Sequence, residues 1–358
     1  MNIFTILTGV RFSVLMKLLF RNGLTLYPVY ILRFLVLFWN SLISSILILA
    51  ERKNYSKAMR DTVIREPPVF IVGHWRTGST YLHQLINLDP QFTAPNMVQT
   101  VIPDHFLFST KYYVPIMKRV MPKTRPMDNV ALTPFEPQEE EFALVRMGSE
   151  SPIEKLLFPS GKKFFLCGYE QYIPEGKRLD TWKKNLLSFY RKLTLLTGKR
   201  IVSKNPCHSM RIPLLAEMFP GAKFIHIHRD PFIVVPSTIR MWNIVARENK
   251  LKRGWNAPTI RDISIVLGSY LKYIAEAGNK LNEKQFTEVC FEDFEKDPVK
   301  ELKRIYSDLG LTYTVEFETE VNRFISSLRD YRKNTYKISR EDKAAILSGL
   351  DLHAGIAG

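Results

Sequence analysis

A three-layer α/β fold, with a central parallel sheet flanked by helices and a helical appendage at the N-terminus, is what this 358-residue sequence predicts. Apolar, β-prone runs recur at Val69–Val72, Arg200–Ser203 and Ala222–His228, and each is followed by a turn and then a helical pattern. Strands that alternate with helices build a parallel sheet whose site lies beyond the carboxyl ends of the strands. With 46% hydrophobic residues, a chain of this length buries one sizeable core, so one large domain with an appendage is expected rather than two equal domains.

The appendage is residues 1–66, and the main domain is residues 67–358. The first segment carries nine Lys or Arg against three acids. Residues 3–21 are apolar on most sides, with Arg11, Lys17 and Arg21 gathered on about a third of a helix circumference, a pattern that suits a helix lying in a membrane interface. Phe34–Ala50 is free of charge but includes Asn40, Ser41, Ser44 and Ser45, and its length sits at the lower edge of what spans a bilayer. A surface contact with a membrane is expected here, with helices packed on the main domain and a single span as the alternatives. No cleavable signal peptide is evident.

Pro67–Leu82 reads as a buried strand, a glycine turn carrying Arg76, and the start of a helix whose apolar positions are Leu82, Leu85 and Ile86. At such a turn the outward backbone N–H groups and the positive end of the helix dipole hold an oxyanion. Gly73 and Gly78 have Walker A spacing, but Ser79 stands where that motif places lysine. After a proline-interrupted region, residues 90–137, with the aromatics Phe106, Phe108, Tyr112 and Tyr113, residues 138–158 and 180–198 are expected to be helical. The strand Arg200–Ser203 is followed by a helix over Met210–Met218. The strand Ala222–His228 ends in Arg229-Asp230-Pro231, and Ser237 lies eight positions after Arg229 on a helix Phe232–Trp242. Residues 262–283 form a further helix. Two anion sites at two strand ends point to a nucleotide with two separated phosphates.

Residues 67–86 resemble the 5'-phosphosulfate loop of sulfotransferases that use 3'-phosphoadenosine 5'-phosphosulfate, PAPS. Residues 223–237 resemble their 3'-phosphate motif, and Gly198–His208 and Thr287–Pro298 resemble two further segments of the same family. The resemblance runs from residue 67 to about 340 and looks closest to a bacterial branch with an arginine in the loop. Pro137–Glu141 also has a counterpart there. It implies that Trp75, Arg76, Thr77, Gly78, Ser79 and Thr80 hold the phosphosulfate end, and that Arg229 and Ser237 hold the 3'-phosphate. Arg332 and Lys333, in a late basic segment, are candidates to cover that phosphate. Lys204 is the candidate to reach the sulfuryl group, with an ion pair to the Glu139–Glu141 cluster as the rival reading. Several relatives place a glutamate base shortly after the first helix, where this chain offers only Gln99. The general base is therefore sought among His208, His105, Glu139 and Glu141.

The reaction implied is transfer of a sulfuryl group from PAPS to a hydroxyl of a lipid, sterol or similar alcohol, with glycans as a further acceptor class. Its loose transition state is met by positioning and charge stabilisation, so no metal is required. A P-loop kinase and a catalytically silent membrane-surface protein are the rival functions. A net charge of +16 fits a polyanionic cosubstrate or a negative membrane surface. Nucleic acid is not expected as a partner, because no aromatic–basic interleaving or zinc-finger spacing accompanies the charge. Three scattered cysteines, Cys167, Cys207 and Cys290, make a disulfide framework improbable and a cytoplasmic setting, at the cytoplasmic face of a membrane, the expected one.

Overall fold

Every residue of β1 (Val69–Val72) is buried, as befits a strand covered on both faces, and β1 lies at the centre of a five-stranded parallel sheet. The order is β2 (Phe92–Thr93), β3 (Arg200–Lys204), β1, β4 (Lys223–His228), β5 (Phe286–Cys290). The computed structural model describes residues 5–23, 28–122, 124, 132–160, 172–328 and 338–351. In chain order its helices are α1 (Phe12–Arg21), α2 (Ile31–Asp61), α3 (Ser79–Ile86), α4 (Met97–Val101), α5 (Phe106–Val120), α6 (Glu141–Arg146), α7 (Glu154–Leu157) and α8 (Gly176–Thr197). They continue as α9 (Ile212–Met218), α10 (Pro231–Asn249), α11 (Ile260–Gly278), α12 (Phe291–Lys296), α13 (Pro298–Asp308), α14 (Val315–Ser327) and α15 (Arg340–Asp351).

Two compact units emerge. One holds Arg65–Ala94, Lys199–Met241 and Pro258–Gly358, and contains the whole sheet. Val69 and Ile71 face a core formed with Leu82 and Ile86 of α3, Ile305 and Tyr306 of α13, and Phe317 of α14. On the opposite face Phe70 stacks on Phe224, with ring centroids 5.4 Å apart. Register pairs Ile71 with Lys204 and Val72 with His226, which brings the carboxyl ends of β3, β1 and β4 level with one another. The segments that follow these strands therefore leave from one edge of the sheet.

The other unit holds Met1–Ile64, Pro95–Gly198 and Trp242–Ala257. Here α1 buries Val14, Leu15, Leu18 and Leu19, so the apolar face expected to rest on lipid is consumed by protein packing. Two of its three basic residues are engaged as well: Arg11 Nη1 donates to Asp104 Oδ1 at 3.2 Å, and Arg21 pairs with Glu150 at 2.6 Å and with Glu154, while Lys17 is exposed. The polar residues that interrupt the apolar run of α2 explain themselves. Asn40 Oδ1 accepts the Gly9 N–H at 2.7 Å and Ser45 Oγ accepts the Phe12 N–H at 3.0 Å, satisfying backbone donors at the start of α1. Lower down α2, Glu51 is buried and paired with Lys192 of α8, whose ammonium also donates to Pro103 O (2.9 Å) and Asp104 O (2.8 Å).

Three local expectations change. The single helix expected over 138–158 is split into α6 and α7, because Gly148 takes φ 92 just after α6 and Pro152 follows. Helix α9 starts only at Ile212, after a 3-10 turn over Pro206–Arg211 whose Asn205 side chain accepts the Cys207 N–H. The region 90–137, expected only to be interrupted by prolines, contains α4 and α5, the latter tolerating Pro115 within it.

Candidate active site

The turn between β1 and α3 is built on two glycines with positive φ. Gly73 has φ 146, and its N–H donates to Ser209 Oγ at 2.8 Å. A Cβ there would lie 2.4 Å from Ile227 O, so only glycine lets the turn approach β4 this closely. Gly78, the N-cap of α3, has φ 91, and a Cβ would meet the Phe291 ring at 2.0 Å. Between them Arg76 takes φ 71, a left-handed conformation that costs an L-residue about 1–2 kcal/mol. Thr77 Oγ1 donates to His74 O at 2.9 Å and closes the turn. The amides of Ser79 and Thr80 open α3, so they lack a carbonyl one turn earlier and point with the helix dipole into the loop.

Trp75 is largely buried, its ring 5.7 Å from that of Tyr270. His74 packs edge-on against both, and burial pushes its imidazole down to about 4, leaving it uncharged near neutrality. These rings form a rigid wall beneath the turn.

Arg76 Nε donates to Ser237 Oγ on α10 at 2.8 Å across a sequence separation of 161 residues. Arg229, at the end of β4, lies with its guanidinium carbon 4.3 Å from the centroid of Phe291 and its Nε 3.9 Å from Glu292 Oε1. Burial lowers the affinity of Arg229 for its proton, Glu292 and Glu295 oppose this, and the field of Arg76 adds to the lowering. The two guanidinium groups thus share one local field. Glu292 in turn accepts the Asp230 N–H at 3.2 Å and fixes the turn that carries Arg229. Lys204, nearly buried, is the last residue of β3, one strand away from the turn.

His208 is fully buried in the aromatic layer, edge-on to Phe70 at 5.6 Å and with Arg211 Nη1 3.4 Å from its Nδ1. His105, Glu139 and Glu141 belong to the other unit. His105 is buried against Tyr113 and pushed down to about 4, chiefly by burial and then by Lys192. Glu141 Oε1 accepts from Ser151 Oγ at 2.5 Å, whereas Glu139 is only half-buried. Gln99 completes a capping box with Asn96, its Oε1 accepting the Asn96 N–H at 3.0 Å, which gives that side chain a structural task. Arg332 and Lys333 lie outside the described residues. Among the described residues no group of three or more His, Cys, Asp or Glu side chains is placed to hold a metal ion.

A family model described as the sulfotransferase family matches residues 67–315, the span that runs from β1 to the start of α14. The chain belongs to the sulfotransferase family. This sulfotransferase is similar to the omega-hydroxy-beta-dihydromenaquinone-9 sulfotransferase Stf3 of Mycobacterium tuberculosis and of Mycobacterium bovis, 34% identical over 94% of this chain and 87% of either relative. Among solved structures, sulfotransferase STF9 from Mycobacterium avium superposes with a TM-score of 0.66 over 96% of both chains at 15% identity. Sulfotransferase STF1 from Mycobacterium tuberculosis does so with 0.62 over 94% of this chain and 90% of its own at 19% identity. The α/β fold with a parallel sheet, expected from the sequence, is the fold of this family.

Sequence reasoning passed over several residues that shape the candidate site. Phe291 supports both Gly78 and Arg229, and Glu292 braces the Arg229 turn, yet the segment Thr287–Pro298 was notable only as a strand-turn. The signal was available in part, since an aromatic and an acid directly after a strand end are placed to meet whatever else that sheet edge carries.

Proposed function

We propose that this sulfotransferase uses PAPS as donor and sulfates a hydroxyl on a hydrophobic, lipid-like acceptor. The observation that carries the donor assignment is the Arg76–Ser237 hydrogen bond, because it joins the loop after β1 to the helix after β4, the two segments whose sequences resemble the donor-binding motifs. In this reading the amides from Gly78 to Thr80, with Thr77 and the wall of Trp75, cradle the 5'-phosphosulfate, and Arg229 and Ser237 take the 3'-phosphate. Arg76 and Lys204 draw off charge as the sulfur–oxygen bond to the 5'-phosphate breaks and the acceptor oxygen bonds to sulfur. The acceptor proton passes to a base, and adenosine 3',5'-bisphosphate leaves.

For the base we propose Glu139, the least enclosed of the four candidates. His208 and His105 are buried, and Glu141 is tied to Ser151. With donor saturating, Glu139→Gln is expected to lower kcat by about a hundredfold or more; turnover within about tenfold of wild type removes it from that role.

The acceptor class is supported by the mycobacterial relatives, whose name specifies a hydroxylated menaquinone lipid. We assign catalysis to residues 67–358 and membrane contact to residues 1–66, at the cytoplasmic face. Thermal unfolding with added nucleotide tests the donor reading. Adenosine 3',5'-bisphosphate at about a hundredfold excess over its Kd is expected to stabilise the protein by about 2.7 kcal/mol, with AMP and ATP giving far less. Equal stabilisation by AMP would eliminate the second phosphate site.

A further inference from the structure

Helix α2 is inverted relative to an ordinary surface helix. Its buried face carries Arg33, Ser41, Ser44 and Glu51 beside Leu37 and Ile48. Its outer face exposes Leu32 (53%), Leu35 (45%), Trp39 (63%), Ile43 (51%), Ile46 (66%) and Leu49 (64%). At 100° per residue these six occupy about a third of the circumference, and every residue from Ile31 to Ala50 in that sector is apolar. The strip runs for about 26 Å. In an aqueous protein such a face is expected to meet a partner.

The continuation of the strip says which partner. Lys53, Lys57 and Arg60 fall in the same angular sector just beyond Leu49, with the single acid Asp61 at its edge, and all are exposed. Arg60 and Met59 then line an open groove of about 460 Å³ with Lys184, Leu187, Ser188 and Arg191 of α8, so three cations contribute to the lining of a mostly apolar groove. Helix α5, which packs on α2, also exposes an apolar row of Tyr112, Ile116 and Val120. Apolar residues followed along one face by cations match a lipid leaflet, with acyl chains met first and phosphate headgroups next. A bilayer crossing is disfavoured by the inner face of α2: Arg33 is bound to Lys250 O at 2.7 Å near one end and Glu51 to Lys192 further along, which fixes the helix lengthwise on its own unit.

We infer that the outer face of α2 is a docking surface for an anionic phospholipid membrane, with the groove between Arg60, Lys184 and Arg191 taking a lipid phosphate. This deepens the membrane contact proposed above and rests on it. The test uses the full chain and vesicles of phosphatidylcholine with and without phosphatidylglycerol. Binding to the anionic vesicles is expected to exceed binding to neutral ones, and Trp39 emission is expected to be quenched by brominated acyl chains, a quenching that Trp39→Phe removes. Ile43→Ser and Ile46→Ser are each expected to weaken partitioning about tenfold or more. Arg60→Gln, Lys184→Gln and Arg191→Gln should each weaken it about fivefold on anionic vesicles and little on neutral ones. Sulfation of a water-soluble alcohol should be unchanged in all of these variants, so a failure of the chemistry and a failure of the surface are read separately. Absence of vesicle binding overturns the inference. So does resistance to carbonate extraction, which marks a true span, or a dimer in light scattering that Ile43→Ser dissociates, which marks a second copy as the occupant.

Discussion

Replacing Arg76 by glycine is expected to lower kcat/KM for sulfuryl transfer by about a thousandfold while leaving the melting temperature unchanged or raising it. In the donor reading proposed above, the loss follows from removing a forked cation that meets charge developing on the leaving phosphate, an effect of about 10²–10³ or more in preorganised sites. The gain in stability follows from φ 71, which glycine adopts without the cost that arginine bears. Arg76→Lys keeps the charge but not the fork that donates to Ser237 at 2.8 Å, so only part of the rate should return. Steady-state kinetics and thermal unfolding on the same preparations decide the matter. A variant that loses activity and stability together identifies a structural arginine instead. An L-residue held left-handed between two glycines, and bonded to a serine on a distant helix, has the character of strain retained where function needs it.

The second large effect is on stability. Lys192→Met is expected to cost about 3–5 kcal/mol, because it leaves the Glu51 carboxylate buried without its cation. Burial already raises the pKa of Glu51, and Lys192 is the chief opposing influence. The double replacement Lys192→Met with Glu51→Gln should recover most of the loss, since both charges then disappear together. Chemical denaturation gives the comparison. A single variant within about 1 kcal/mol of wild type, or a double variant no better than the single one, contradicts the argument. Lys192 also holds the carbonyls of Pro103 and Asp104 ahead of α5, so local loosening of that segment should accompany the loss.

Much of the molecule was legible because its signals are local. The strand at Val69–Val72 is apolar at every position, as a doubly covered strand has to be, and glycine at 73 and 78 is demanded by backbone angles within the turn itself. Where a reading went astray, a local punctuation mark had been underweighted. Gly148 and Pro152 divide the expected 138–158 helix, and Pro115 did not prevent α5 from forming. The reading of residues 3–21 as a lipid-facing helix failed differently: the periodicity was present, but an amphipathic face looks the same whether it meets protein or lipid.

By itself, then, the order of residues determined the alternation of strands and helices, the glycine turn with its arginine, and the surplus of positive charge, since these depend on spacing and backbone geometry over a few residues. Only the tertiary structure decided that Arg76 meets Ser237, that Phe291 supports Gly78 and Arg229 together, and that α2 buries Arg33 and Glu51 while exposing the apolar strip from Leu32 to Leu49. Those are contacts between residues far apart in the chain. Their energies depend on how parallel strands register and how helices pack, which no window of sequence contains.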